Sequence, residues 1–177
     1  MDQITAILTD TKIPVGKTAK AIFDWLNAHA AFVFNAISKG LDWLIGMILT
    51  VLEFPHPLVF TLLMVALTWA LQRSWKTCLL ILLGFLFVLN QGYWDEMMQS
   101  LTLVLSACVV CMAIGVPLGI AAAHRPRLYA WMRPVLDLMQ TLPTFVYLIP
   151  AIVFFGIGMV PGLIATVIFV LPAPIRL

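Results

Sequence analysis

The sequence predicts an all-α, multi-pass membrane protein: about five or six transmembrane helices preceded by an amphipathic helix lying in the interface. Three observations carry this prediction. The chain of 177 residues is 63% hydrophobic and only 10% charged, whereas ordinary globular domains hold about 25% charged residues. Beyond residue 57 its apolar runs succeed one another, separated by short turns that hold most of that region's charge. Between Asp137 and Arg176 the apolar sequence is also broken by Pro143, Pro150, Pro161, Pro172 and Pro174, with Gly156, Gly158 and Gly162 among them. A soluble core does not tolerate so many breakers, but neighbouring helices or a water-lined cavity satisfy the freed backbone groups of a membrane segment. The stretch reads as the wall of a transmembrane path.

Taken in order, residues 1–17 are mixed in character and expected to be loosely ordered; without a basic n-region ahead of an apolar core, no cleavable signal peptide is expected. From Lys20 to Asp42 polar residues recur at Lys20, Asp24, Asn27, Asn35, Ser38 and Asp42, opposite Ile22, Phe23, Leu26, Val33, Phe34 and Ile37. This is the pattern of an interfacial helix, with Trp25 and Trp43 as headgroup anchors. Residues 43–54 are apolar but short of the roughly 20 residues of a full span; they extend that helix or cross obliquely. Pro55-His56-Pro57 is a firm break. Apolar runs follow at 58–72, 77–91, 98–123, 135–158 and 162–175, the first two borrowing flanking residues such as Trp75 and Tyr93.

Loop charge orients these runs. Arg73 and Lys76 occupy one turn, His124, Arg125, Arg127 and Arg133 another, and Arg176 lies at the end, while residues 92–97 and 159–162 hold no Lys or Arg. By the positive-inside rule the first group faces the cytoplasm and the second faces outward, and the five runs alternate without conflict. Trp43, Trp75, Trp94 and Trp131 fall at the interfaces so defined.

Two polar stripes are candidates for function. Gln140, Thr144 and Tyr147 stand at i, i+4 and i+7, one face of a helix, bracketed by Pro143 and Pro150, whose breaks free carbonyls to line a path. Thr can instead back-bond to its own helix, and Gln140 can reach headgroups. Gln99, Thr102 and Ser106 form a similar face. Gly115 and Gly119 make a small-xxx-small pattern that lets two helices approach closely, with a kink expected at Pro117. Cys108 and Cys111 match C-x-x-C, but an apolar setting disfavours thiolates and no second pair or nearby His accompanies them, so they read as small packing residues. His29, His56 and His124 lack ligand partners, so no metal site or cofactor is expected. No Gly-rich phosphate loop is present, no intramembrane ionisable group beyond Asp137 suggests ion coupling, and no nucleophile–base constellation suggests an enzyme. A net charge of +2 without a basic run gives no reason to expect nucleic acid.

Three runs carry a family resemblance: Arg133-Pro-Val-Leu-Asp-Leu-Met-Gln-Thr-Leu-Pro-Thr-Phe-Val-Tyr-Leu-Ile-Pro150, Phe155-Gly-Ile-Gly-Met-Val-Pro-Gly162 and Ile168-Phe-Val-Leu-Pro-Ala-Pro-Ile-Arg-Leu177. With Phe54-Pro-His-Pro-Leu58 and Gly115-Val-Pro-Leu-Gly-Ile120, they resemble the permease subunit of the glycine betaine/proline betaine ABC importers over residues 50–177. The resemblance implies a multi-pass permease homodimer in the bacterial inner membrane, served by a cytoplasmic ABC ATPase subunit and an extracytoplasmic substrate-binding protein that delivers betaine-like osmolytes. It implies that Gln140, Thr141, Pro143, Thr144, Tyr147 and Pro150 lie beside the translocation path. It sets Gly158, Pro161 and Gly162 on the loop facing the binding protein. The organisation expected is an interfacial region (1–54), two spans (55–97) and the N-terminal part of the permease core (98–177). The family's Glu-Ala-Ala coupling helix follows the Ile-Arg-Leu stretch, so these 177 residues alone are expected not to couple to ATP hydrolysis. An ATP-independent channel or facilitator, and a non-transporting scaffold subunit, are the competing readings.

Overall fold

A computed structural model describes residues 15–176; residues 1–14 and Leu177 lie outside it, as do the side chains of residues 15–23 and 26–28, Lys20, Ile22, Phe23, Leu26 and Asn27 among them. The described residues are helical, joined by short turns, and divide after Ile37 into two units. The first unit is the N-terminal part of α1 (Val15–Glu53), a single helix that merges the expected interfacial segment with the 43–54 run. Here the Trp25 and His29 rings stack with centroids 4.9 Å apart. From His29 to Glu53 the helix is apolar enough to cross a membrane.

The second unit, from Ser38 onward, holds the remaining architecture. α2 (Pro57–Gln72) and α3 (Trp75–Gln91) form a helical hairpin. The His56 ring caps α2 by accepting from the Leu58 N–H, and Pro57 at the first position loses no hydrogen bond there. Arg73 closes α2 in a left-handed conformation (φ 47°), which packs the reversal into Arg73-Ser74. Phe60, Phe85 and Trp94 meet with centroids 5.7–6.3 Å apart and fasten this hairpin to the start of α4 (Trp94–Ala123). Pro117 stands inside α4 on its exposed side without ending it.

One buried ridge of α4 organises the rest. Met98, Thr102, Ser106, Ala107, Cys111, Gly115 and Ala122 are all buried, and the small side chains among them, all but Met98, admit α7 (Met159–Val170) and α8 (Pro172–Arg176) at close range. Gly162 lies beside Leu103, the Cys111 thiol meets the Val167 carbonyl, Gly115 lies against Pro174, and Gly119 against the Ile175 backbone. Residue numbers rise together along both partners, so α7–α8 runs parallel to α4. At the outer half of this interface Ile45 of α1 joins Ala107, Val160 and Leu163 in the core. Glu53 ends α1 beside Trp94 and Asp95.

Parallel neighbours require a return path, and α5 (Pro126–Thr141) with α6 (Thr144–Phe155) supplies it. The expected fourth span, 135–158, is not one helix. The two axes meet at 93°. The cause is local: Pro143 bars Leu142 from the helical region, and Leu142 adopts φ −81°, ψ 137°. α5 follows α4 after the two-residue turn His124-Arg125, and its last turn is tied to Arg176, next to Ile175, which abuts Gly119. Both ends of α5 therefore sit at the same end of α4, so α5 lies across the bundle's basic end instead of crossing with it. α6 then rises against α7, reversing through Gly156, whose φ of 80° suits a residue without Cβ.

This topology is checked by labelling. Ile157, at the reversal, is 96% exposed; a cysteine replacing it should react with a membrane-impermeant maleimide applied outside. A cysteine replacing Arg125 should react only after permeabilisation, and the opposite pattern would invert the assignment.

Candidate functional site

The elbow at Leu142-Pro143 separates the residues that helical spacing placed on one face. Gln140 and Thr141 belong to the last turn of α5, whereas Thr144, Tyr147 and Pro150 belong to α6. An i, i+4, i+7 relation holds only within an unbroken helix, so the three-residue stripe is corrected to two groups around a corner. The Gln140 side-chain oxygen accepts a hydrogen bond from the Arg176 guanidinium at 3.1 Å, and the Asp137 carboxylate accepts another from the same guanidinium. The Tyr147 hydroxyl reaches back across the elbow and donates to the Leu138 carbonyl at 3.1 Å. Thr141 donates to that carbonyl at 3.2 Å.

On the far side of the elbow a groove of about 210 Å³ runs between α6 and α7, lined by Thr144, Phe145, Leu148, Gly162, Ala165 and Thr166. The missing side chain of Gly162 and the single methyl of Ala165 hold it open. No charged side chain lines it, and its polar groups are the Thr144 and Thr166 hydroxyls, the latter donating to the Gly162 carbonyl at 2.8 Å. Pro150 adds a main-chain acceptor to α6, because it cannot donate to the Val146 carbonyl one turn earlier. Phe145, 71% exposed, also lines the groove.

The remaining candidates divide by exposure. Gly158 is exposed at the start of α7, but Pro161 is fully buried and Gly162 faces Leu103 and the groove. Of the three positions assigned to the loop facing a partner, only Gly158 offers open surface, and the prominent residue at that reversal is Ile157. Pro161 is buried because α7 begins at Met159 and carries it into the core. The Thr102 and Ser106 hydroxyls are also fully buried, and neither finds a hydrogen-bond partner; Gln99, on the same predicted face, is exposed. The three histidines described as lacking ligand partners bond to main chain: His29 to the Trp25 carbonyl, His56 to the Leu58 N–H, His124 to the Ile120 carbonyl. Among the described residues no group of three metal-binding side chains comes together.

Sequence reasoning missed Phe145 and Thr166 as groove residues and Asp137 and Arg176 as a pair. Phe145 was readable as a neighbour of the stripe, but Thr166, on α7, was not. The pair was not, since its members stand 39 positions apart.

Comparison with known proteins adds the following. Residues 115–177 match the model of a family described as "Binding-protein-dependent transport system inner membrane component". The glycine betaine transport system permease protein OpuAB of Bacillus subtilis is 40% identical over 94% of this chain and 58% of its own length. The glycine betaine/carnitine transport permease protein GbuB of Listeria monocytogenes is 39% identical, over 93% of this chain and 59% of its own. The glycine betaine/proline betaine transport system permease protein ProW of Escherichia coli is 38% identical, over 94% and 47%. The chain thus spans about half the length of these relatives.

Proposed function

We propose, from the match of residues 115–177 to the model of inner membrane components of binding-protein-dependent transport systems, that the chain is part of the permease of an ATP-driven importer of betaine-like osmolytes. The observation that carries the proposal is the identity of 38–40% to three betaine permeases across 93–94% of the chain. Those relatives are named for glycine betaine, proline betaine and carnitine, which share a quaternary ammonium and a carboxylate. A groove without charged walls suits such a zwitterion, since a fixed charge would hold one end and slow release. In this reading the permease works as a homodimer embedded in lipid, a cytoplasmic ATPase subunit supplies the energy, and an extracytoplasmic binding protein delivers the solute near Gly158. Thr144, Tyr147 and Pro150 of α6 border the path, and Gln140, Thr141 and Pro143 set the angle at which α6 leaves α5.

The proposal is tested by uptake of labelled glycine betaine in cells whose own betaine uptake is deleted, with the permease carrying this chain expressed beside its ATPase and binding protein. Saturable accumulation that stops when the ATPase is made hydrolysis-deficient is the expected result. Flux that persists without hydrolysis would establish a channel, and partner binding without any flux would establish a scaffold. Tyr147→Ala and Gln140→Leu are each expected to lower uptake severalfold at an unchanged amount of permease in the membrane. Unchanged uptake would return both positions to packing.

A further inference from the structure

We propose that Arg176 is a positioning residue, which with Asp137 and Gln140 clamps the elbow between α5 and α6 and so sets the transport rate without touching the solute; this rests on the importer reading above. The geometry supplies a clamp with two sides. On one side the Arg176 guanidinium divides its two terminal nitrogens between Gln140 and Asp137, tying the last turn of α5 to the end of α8. On the other side Tyr147 ties the first turns of α6 to the Leu138 carbonyl of that same α5 turn. The α5 and α6 partners in these bonds all lie within five residues of Leu142, where the main chain has left the helix and Leu142 donates back to Leu138 at 3.2 Å.

The consequence is mechanical. α8 is pinned to α4 because Ile175 and Pro174 lie against Gly119 and Gly115. Arg176 follows directly, so it transmits the position of the α4–α8 pair to α5, and Tyr147 passes that position on to α6 and the groove it lines. Displacing α8 along α4 therefore has to turn the elbow or break the clamp. The Asp137 side chain is 54% exposed and that of Arg176 32%, and an isolated pair at such exposure contributes little to stability. The clamp is weak enough to open and close during a transport cycle, and geometry makes it specific: a planar guanidinium reaches both acceptors, which a lysine ammonium does not reproduce.

The test is a charge exchange in the complete transporter. Asp137→Arg and Arg176→Glu alone should each lower maximal uptake about tenfold with the half-saturating solute concentration unchanged, and the two together should recover most of the loss, as coupled sites do. Arg176→Lys should recover less than the exchange does. Equal losses in the double and single variants, or an altered half-saturation with normal maximal uptake, would overturn the positioning role. A second measurement does not depend on transport: cysteines at 137 and 176, with Cys78, Cys108 and Cys111 replaced by alanine, should be joined by a short bis-maleimide in membranes. Failure of that bridge removes the clamp, whereas a bridge formed in a permease that takes up no betaine removes the importer reading instead.

Discussion

Gly119→Leu should abolish the docking of α7–α8 on α4 while leaving the chain able to insert. A Cβ at this position would stand 3.0 Å from the Ile175 carbonyl, 3.2 Å from that of Pro174 and 3.3 Å from the Ile175 Cα. All three are main-chain atoms, so no rotamer change relieves the contact; the helices must separate. Extra volume in a well-packed interior usually costs about 1–3 kcal/mol, with larger values where backbone must move. Here every atom beyond Cβ adds to the overlap, so a loss at or above the top of that range is expected. In lipid there is no compensating hydrophobic gain, because helix association rests on close packing and not on escape from water. Gly115→Leu should behave alike, since its Cβ would fall 2.6 Å from Cγ of Pro174, whose ring cannot swing aside. Gly84→Leu is the control: nothing lies within 4 Å of its Cβ position, and a change of no more than about 0.5 kcal/mol is expected. Thermal unfolding in detergent, followed by intrinsic tryptophan fluorescence and size-exclusion profile, separates these outcomes. A Gly119→Leu protein that melts with the parent would show that the α4–α8 contact is dispensable.

The glycine pair was legible from the sequence because small-xxx-small spacing is a local signal with a local meaning: two residues on one helix ridge. The helices themselves were legible for the same reason, and the Arg73-Ser74 and His124-Arg125 turns fall where charge interrupts the apolar runs. The partner of the glycine ridge was not legible. Nothing in Gly115 or Gly119 announces that a proline-rich end 56 or more positions later will lie parallel to them. Whether residues 43–54 extend the interfacial segment or cross obliquely stayed open because polarity changes near Trp43; the backbone has no breaker between Gly16 and Glu53 beyond isolated glycines, and the helix continues through. The buried hydroxyls of Thr102 and Ser106 were visible as a face, but their complete burial depends on α7, which periodicity within α4 does not report.

The elbow is the instructive departure. Five prolines stand between Asp137 and Arg176, and Pro143, like Pro150, was placed within one continuing span, 135–158. They differ in position. Pro117 and Pro150 stand inside helices that continue past them, because a proline in mid-helix removes one hydrogen bond and neighbouring packing tolerates the bend. Pro143 ends one helix and caps the next, since the turn before it holds polar Gln140 and Thr141, which are at home at an interface and unsuited to the hydrocarbon. The composition of α5 agrees: Arg127, Arg133, Asp137 and Gln140 are spread among Trp131, Val135 and Leu138, all of them exposed, an in-plane amphipathic pattern. Read that way, the stretch before Pro143 belongs with the basic turn and not with the span.

Pro143→Ala should therefore have the second large effect, and on transport more than on stability. Alanine lifts the steric bar on Leu142, restores an N–H at position 143 and is the best helix former. It permits α5 and α6 to join into one helix from Pro126 to Phe155. A straightened helix cannot keep both ends of α5 at the basic end of α4, so either Gln140 and Asp137 leave Arg176 or α6 leaves α7. Both outcomes move Thr144 and Phe145 away from Gly162 and Thr166 and collapse the groove. Maximal uptake should fall by more than about tenfold, equivalent to at least about 1.4 kcal/mol in the rate-limiting step. The yield of inserted protein should stay near that of the parent, because no buried side chain is removed. The 137–176 cysteine bridge should weaken in parallel with uptake. If instead the bridge and uptake both survive, packing by α7 and α8 holds the 93° bend without help from the proline, and the elbow is a product of tertiary contact, not of the local sequence. If the bridge is lost while uptake persists, α6 reaches its working position independently of α5, and the groove, not the corner beneath it, determines the rate.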